Sequence, residues 1–225
     1  MKKIICFILI LTLGAFVMLS CGGDGESDAD KVSAMFGVSQ PTKSVVVTDQ
    51  IFGTNNLQGV YTVVVGEVDG KEAAVETIEQ YRLSTVAEGS GQEIIDHQLL
   101  ESSKKEYIAD KGVRVDGGAW DASAPSIVPV KGAMALNLDE SLIANVKYEN
   151  KVLTFTVSAA NSAAVFGEGN ALAADATVTV TNDGVRITGI TINYIVAANA
   201  ESGLQETAVT ITATYTYDNE VINID

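Results

Sequence analysis

The chain has 225 residues and carries 29 acidic against 14 basic side chains, a formal net charge of −15 with one histidine and two cysteines. Such an acidic chain excludes nucleic acid as a partner, because that binding is driven by basic side chains displacing counterions. It also excludes attachment to anionic lipid through a basic patch, and its length suits one β domain of ordinary size or two small ones.

The chain opens with Met1-Lys2-Lys3, an apolar run from Ile4 to Leu19, and then Ser20-Cys21-Gly22-Gly23. A short positive start, an apolar stretch and a small residue at the cut form a secretory signal. The run is shorter than the about 20 apolar residues that a transmembrane helix needs. It ends in glycines and acids rather than in a basic flank. Met18-Leu19-Ser20-Cys21 resembles the bacterial lipobox, with methionine where that family most often has leucine. The resemblance implies that residues 1–20 are a lipoprotein signal peptide, and that Cys21 receives a diacylglyceryl group and then a third acyl chain on its freed amino group. Three chains exceed the two hydrophobic signals that stable anchoring takes. The implied partner is therefore a membrane, reached through lipid. Gly22 is unlike the aspartate of inner-membrane retention signals, and the acids that follow resemble surface-export signals of some bacterial lipoproteins. The expected location is the outer membrane of the cell envelope.

Maturation leaves 12 basic against 29 acidic residues, a formal −17. Cys6 departs with the signal and Cys21 carries lipid, so the mature domain has no thiol for a disulfide, a thiolate nucleophile or a zinc cluster. Residues 21–31 follow as the acylated cysteine and a flexible acidic tether without large apolar side chains. Asp24, Glu26, Asp28 and Asp30 have the look of a calcium loop, but its sixth position is Ala29 and its twelfth Met35, where an EF-hand needs glycine and glutamate. No metal and no cofactor is expected.

Residues 32–225 read as a single β domain. Tyr61, Val63 and Val65 alternate up to the hairpin signal Asp69-Gly70-Lys71, and a return strand lies within 72–83. Over 92–110, Ile95 and Leu99 four apart, followed by Glu101, Lys104, Lys105 and Glu106, predict a short helix ended near Gly112, with an extended loop as the alternative. Met134, Leu136 and Leu138 predict another strand. Val146 and Tyr148 pair through a turn at Glu149-Asn150-Lys151 with Leu153, Phe155 and Val157. Residues 158–175 form a connection with room for one helical turn. Val178 and Val180 alternate with threonines up to Asn182-Asp183-Gly184, whose residues tolerate positive φ. Val185 and Ile187 then give way, across Gly189, to Ile190, Ile192 and Tyr194 on the opposite parity, which predicts a β-bulge. Thr207 to Tyr217 alternates strictly. The total is about eight strands.

Leu57-Gln58-Gly59-Val60-Tyr61-Thr62 resembles the opening strand of the lipocalin-like (calycin) lipoproteins, in which a Gly-x-Trp packs its aromatic across the closed end of the barrel. The resemblance implies an antiparallel barrel, with Gly59 permitting a bend and Tyr61 plugging the base. A two-sheet β-sandwich is the other architecture the strand pattern allows.

Chemistry is sparse. Asp96 and His97 are sequence neighbours, and a catalytic relay needs its acid on a separately positioned element. No Gly-x-Ser-x-Gly elbow and no phosphate loop occurs. The acids offer carboxylate pairs only by abundance, so no catalytic residue is assigned and an enzyme is not expected. Trp120 stands in a loop of glycine, acid and proline, Val115 to Pro125. There it either stacks on a sugar or lines a barrel mouth, or it folds back over the core. Two readings remain. The first is a non-enzymatic binding module for a small apolar ligand or glycan, with Trp120 and Tyr61 as candidate contacts. The second is a structural or protein-interaction component of the envelope with no small-molecule pocket. The anchor itself is directly testable: wild type should enter the detergent phase on phase partitioning and Cys21→Ala the aqueous phase, and aqueous wild type would refute the lipid anchor. The β domain of Cys21→Ala should fold unchanged.

Overall fold

The computed structural model describes residues 27–36, 38–52, 55–87, 93–124, 136–166, 172–201, 205–218, 222 and 224. The signal, Cys21 and the start of the tether lie outside them.

Ten strands form one antiparallel sheet: β1 Lys43–Phe52, β2 Asn55–Val68, β3 Lys71–Ala87, β4 Glu93–Ile108, β5 Gly112–Val115, β6 Ile143–Glu149, β7 Val152–Val157, β8 Ala176–Asn182, β9 Ile187–Val196 and β10 Thr207–Thr216. Their order is β5-β4-β3-β2-β1-β10-β9-β8-β7-β6. The chain meanders from β1 to β5, crosses to the far edge, and meanders back from β6 to β10. The last strand then pairs with the first, Lys43 opposite Thr216 through Ile51 opposite Ala208. First-to-last pairing is what closes an up-and-down barrel. Here the seam falls between β5 and β6, so among the described residues the sheet is open. The mainly-β antiparallel expectation holds, as one sheet whose outer strands β5 and β6 each have one neighbour among the described residues.

All three predicted hairpin turns are present. Asp69 (φ 54°) and Gly70 (φ 72°) join β2 to β3, and Asn150 and Lys151, both at positive φ, join β6 to β7. Between β8 and β9, Asp183 accepts from the backbone N–H of Arg186 and of Val185 and from the Arg186 side chain, which together pull its carboxyl down to about 2. The Gly189 bulge is also there. Thr181 faces Gly189 while Asn182 faces Ile187, so Ile187 and Ile190 are both buried despite their odd spacing. A Cβ on Gly189 would stand 2.9 Å from Thr181 Oγ1.

Three expectations are corrected. Residues 93–108 are neither helix nor loop but the 16-residue strand β4, paired along β3. A spacing of four puts two residues on one face in a helix and in a strand alike, so it did not distinguish them; the hairpin partner decided. Leu136 and Leu138 are buried but belong to no strand; Asn137 N donates instead to Val165 O at 3.3 Å. The tether also ends earlier than its composition suggested. Ser27 caps the helix α1 (Asp28–Ser33) in a capping box with Asp30, and Ala29 and Val32 are buried in the core. Asp30 is thereby engaged, and Asp28 pairs with Lys31 at 3.1 Å.

The main core lies on one face of β6–β10, where Leu153, Phe155, Val178, Ile192 and Ile211 pack beneath α1, the short helix α2 (Ser162–Phe166) and Leu136. A second, smaller cluster of Ala73, Ile108 and Ile222, with Val64, Val75 and Trp120, sits at the other end of the sheet. Phe155 is 2% exposed at the centre of the main core. Phe155→Ala should cost about 3–5 kcal/mol, read from the urea midpoint, because the cavity it leaves has packed strands on both sides.

Candidate binding face

Cross-strand register shows which residues share a face, since side chains alternate along each strand. Val46 of β1 stands opposite Ala213 of β10 and Tyr61 of β2, and Tyr61 opposite Ile78 of β3. The face that carries the main core on β6–β10 therefore continues across β1–β4 as Val46, Tyr61, Val63, Val65 and Ile78. Along this extension Val63 is buried, while Val46, Tyr61, Val65 and Ile78 are half-buried.

A polar node interrupts this apolar strip. The Tyr61 hydroxyl donates to Glu76 Oε2 at 2.9 Å, and Lys105 Nζ donates to Glu76 Oε1 at 2.8 Å. Glu76 and Lys105 are register partners on β3 and β4. The Glu76 side chain is 13% exposed and that of Lys105 39%, so Lys105 is the partner that meets solvent. Burial first, then the Glu76 charge and hydrogen bond, raise the Tyr61 hydroxyl well above its usual range. Tyr61 is thus a fixed neutral donor, and Glu76 is held from two sides.

The opposite face carries the second constellation. Glu106, 3% exposed, accepts from Arg114 Nε and from Lys104 Nζ at 2.7 Å. Burial pushes its carboxyl up, but Arg114 and Lys104 outweigh that and hold it below the ordinary range. Neighbouring lysines on one strand thus serve opposite faces, Lys105 the core-side face and Lys104 the other. Arg114 stands 4.9 Å and Lys111 5.5 Å from the Trp120 ring centroid. Trp120 is half-buried against the smaller cluster.

Tyr61 and Trp120, the two ligand contacts suggested by sequence, are therefore not brought together; they lie against opposite faces of the sheet. His97 sits on β4 with its ring edge-on to Tyr81, centroids 6.0 Å apart. Asp96, the next residue on the strand, belongs to the other face. Glu76, Lys105, Glu106 and Arg114 escaped sequence reading. Each is an ordinary charged residue until register sets Glu76 beside Tyr61, and Glu106 beside Arg114. Among the described residues no helix is long and apolar enough to cross a membrane.

No family model and no curated protein matches the chain. Among solved structures, a DUF1329 family protein from Desulfovibrio piger aligns over 82% of this chain and 88% of its own at 10% identity, with a TM-score of 0.24. At those values the likeness bears on neither ligand nor activity.

Glu106→Gln should lower stability by about 2–4 kcal/mol at pH 7, because Arg114 loses its buried counter-charge. Since the native carboxyl titrates below the ordinary 4.5, this contribution is full above that pH and fades as pH falls. Urea midpoints of wild type and variant should converge in acid. The backbone at Gly112 (φ +84°) would place a Cβ 2.1 Å from the Asp121 carbonyl oxygen, across the bridge that anchors the Trp120 loop. Gly112→Ala should therefore displace that loop and red-shift the Trp120 emission.

Proposed function

We propose that this chain is a non-enzymatic, lipid-anchored protein of the cell envelope whose core-side sheet face binds a small amphipathic ligand. The observation that supports this most is the half-buried strip Val46–Tyr61–Ile78, a continuation of the core face that carries a hydrogen-bonded polar node. An apolar ligand body lies along Val46, Val65 and Ile78, and a polar end meets Lys105 and the Tyr61–Glu76 pair. Binding sites of this kind combine an apolar lining with a few oriented polar groups. An anionic end suits Lys105 best, because Glu76 already accepts two hydrogen bonds and leaves ammonium protons outward. Trp120, with two cations at its ring and an apolar cluster beneath it, takes a supporting part on the opposite face rather than a stacking part in this site. The Cys21 anchor is the part of the proposal that rests on the lipobox resemblance.

The test is titration with 1-anilinonaphthalene-8-sulfonate, an apolar fluorophore with one anionic group. Saturable binding should weaken about tenfold in Lys105→Glu, the scale of one partly desolvated ion pair turned repulsive. The wavelength of the Trp120 emission maximum should stay unchanged, because the tryptophan lies on the other face, while its intensity falls by energy transfer to the bound fluorophore. Equal affinity in wild type and Lys105→Glu, or no saturable binding, would remove this reading in favour of an envelope component without a small-molecule site.

A further inference from the structure

Gly59 lies in β2 on the core-side face, between Thr48 of β1 and Gln80 of β3. Both ladders run through it without a register shift, and its φ lies outside the left-handed region. At other glycines the missing side chain makes room for the protein itself. A Cβ on Gly189 would stand 2.9 Å from Thr181 Oγ1, and one on Gly112 2.1 Å from the Asp121 carbonyl oxygen. A Cβ on Gly59 would meet no described atom within 4 Å. Glycine in a strand interior weakens the strand, and it marks a bulge or the close approach of a ligand or another backbone. The unbroken ladders at Gly59 exclude a bulge, and no described backbone approaches its open side, which leaves the ligand.

We propose that Gly59 is the floor of a subsite for an uncharged, hydroxyl-bearing ring such as a pyranose. Tyr61, the next residue on this face, donates its hydroxyl to Glu76, which stands opposite Val63. Its ring therefore leans away from Gly59 and walls one end of a notch, with half-buried Leu57 at the other end. Thr48 and Gln80, both half-buried, form the flanks, and no described residue bonds the Thr48 hydroxyl or the Gln80 side-chain amide. A sugar offers hydroxyls at its edge to these two groups, and C–H faces to the Tyr61 ring and the glycine backbone. An ionic ligand group finds no single sign of charge here. The lining residues are neutral, and Arg82 and Glu101, next in register on this face, are exposed and of opposite sign. The subsite rests on the reading of the core-side face as a ligand face and adds a second polar contact to it. Gly59 and Val63, the latter opposite Glu76, are four residues or about 13 Å apart along β2, with the apolar rung Val46–Tyr61–Ile78 between them. One amphipathic ligand lying on that rung places its ring over Gly59.

The probe is 4-nitrophenyl β-D-glucopyranoside, whose aryl group suits the apolar rung and whose sugar suits the notch. Its binding is measured by equilibrium dialysis against the full chain in phosphatidylcholine vesicles, with protein-free vesicles as the blank. Gly59→Ala should weaken saturable binding about tenfold, the scale of one methyl group crowding a fitted site. The urea midpoint of that variant should equal or exceed that of wild type, because alanine is the better strand residue wherever its Cβ has room. Thr48→Val, which keeps the shape and removes the hydroxyl, should weaken binding several-fold. 1-Anilinonaphthalene-8-sulfonate, whose anionic group is assigned to Lys105, should bind wild type and Gly59→Ala alike. Equal glucoside affinity in wild type and Gly59→Ala, no saturable glucoside binding, or a lowered urea midpoint in Gly59→Ala overturns the subsite. If the glucoside responds to Gly59→Ala while the sulfonate ignores Lys105→Glu, the Lys105 contact fails and the subsite stands. The reverse pattern removes the subsite alone.

Discussion

Strands β1 and β10 come from opposite ends of the domain, yet they are bonded side by side, and this pairing makes one sheet of two meanders. Each meander is local, built from hairpins whose turns are written in short sequence signals. Joining β1 to β10 closes the largest loop in the chain and carries the corresponding entropy cost. The offset comes from burial, because Val46 of β1 then lies against the main core beside Ala213 and Tyr215. Without that pairing, the core-side face would end at β10, and Tyr61 would have no apolar row to continue.

The sheet is used on different faces at its two ends. On β6–β10 one face is packed beneath α1, α2 and the Leu136 segment, and on β2–β4 the smaller cluster with Trp120 covers the opposite face. A continuous sheet whose cover changes sides leaves the core-side face of β1–β4 only half covered. The polar groups found there are satisfied within the sheet: Tyr61 and Lys105 both donate to Glu76. The face therefore tolerates partial burial without stranded charge, which would otherwise cost several kcal/mol. Glu106 solves the same problem on the other face through Arg114 and Lys104.

An open seam between β5 and β6 also explains why the two edges look so different. Edge β6 carries a bulge and exposed charges, the usual protections against strand addition. Edge β5 is only four residues long and pairs only with Lys105 to Ile108 of β4. The exposed leucines of β4, Leu99 and Leu100, lie where its register with β3 shifts.

Much of the fold is legible in the residues. The hairpins at 69–71, 149–151 and 182–184, the phase change at Gly189 and the strict alternation of β10 are local, because turn chemistry and period-two burial act over a few residues. The rest is not local. Residues 93–108 became a strand because β3 offered a partner, while Ile95 and Leu99 by themselves fit a helix equally well. Leu136 and Leu138 alternate inward as a strand would, but no strand among the described residues pairs with them. Ala29, too small to announce itself, reached the core only because Ser27 capped a helix over it. The candidate site follows the same division: Tyr61 and Trp120 stand out as aromatic residues in the sequence, but their placement on opposite faces depends on register across four strands. Glu76 and Lys105, far apart in the chain, meet only because β2, β3 and β4 align, and hydrogen bonding across strands is a property of the assembled sheet.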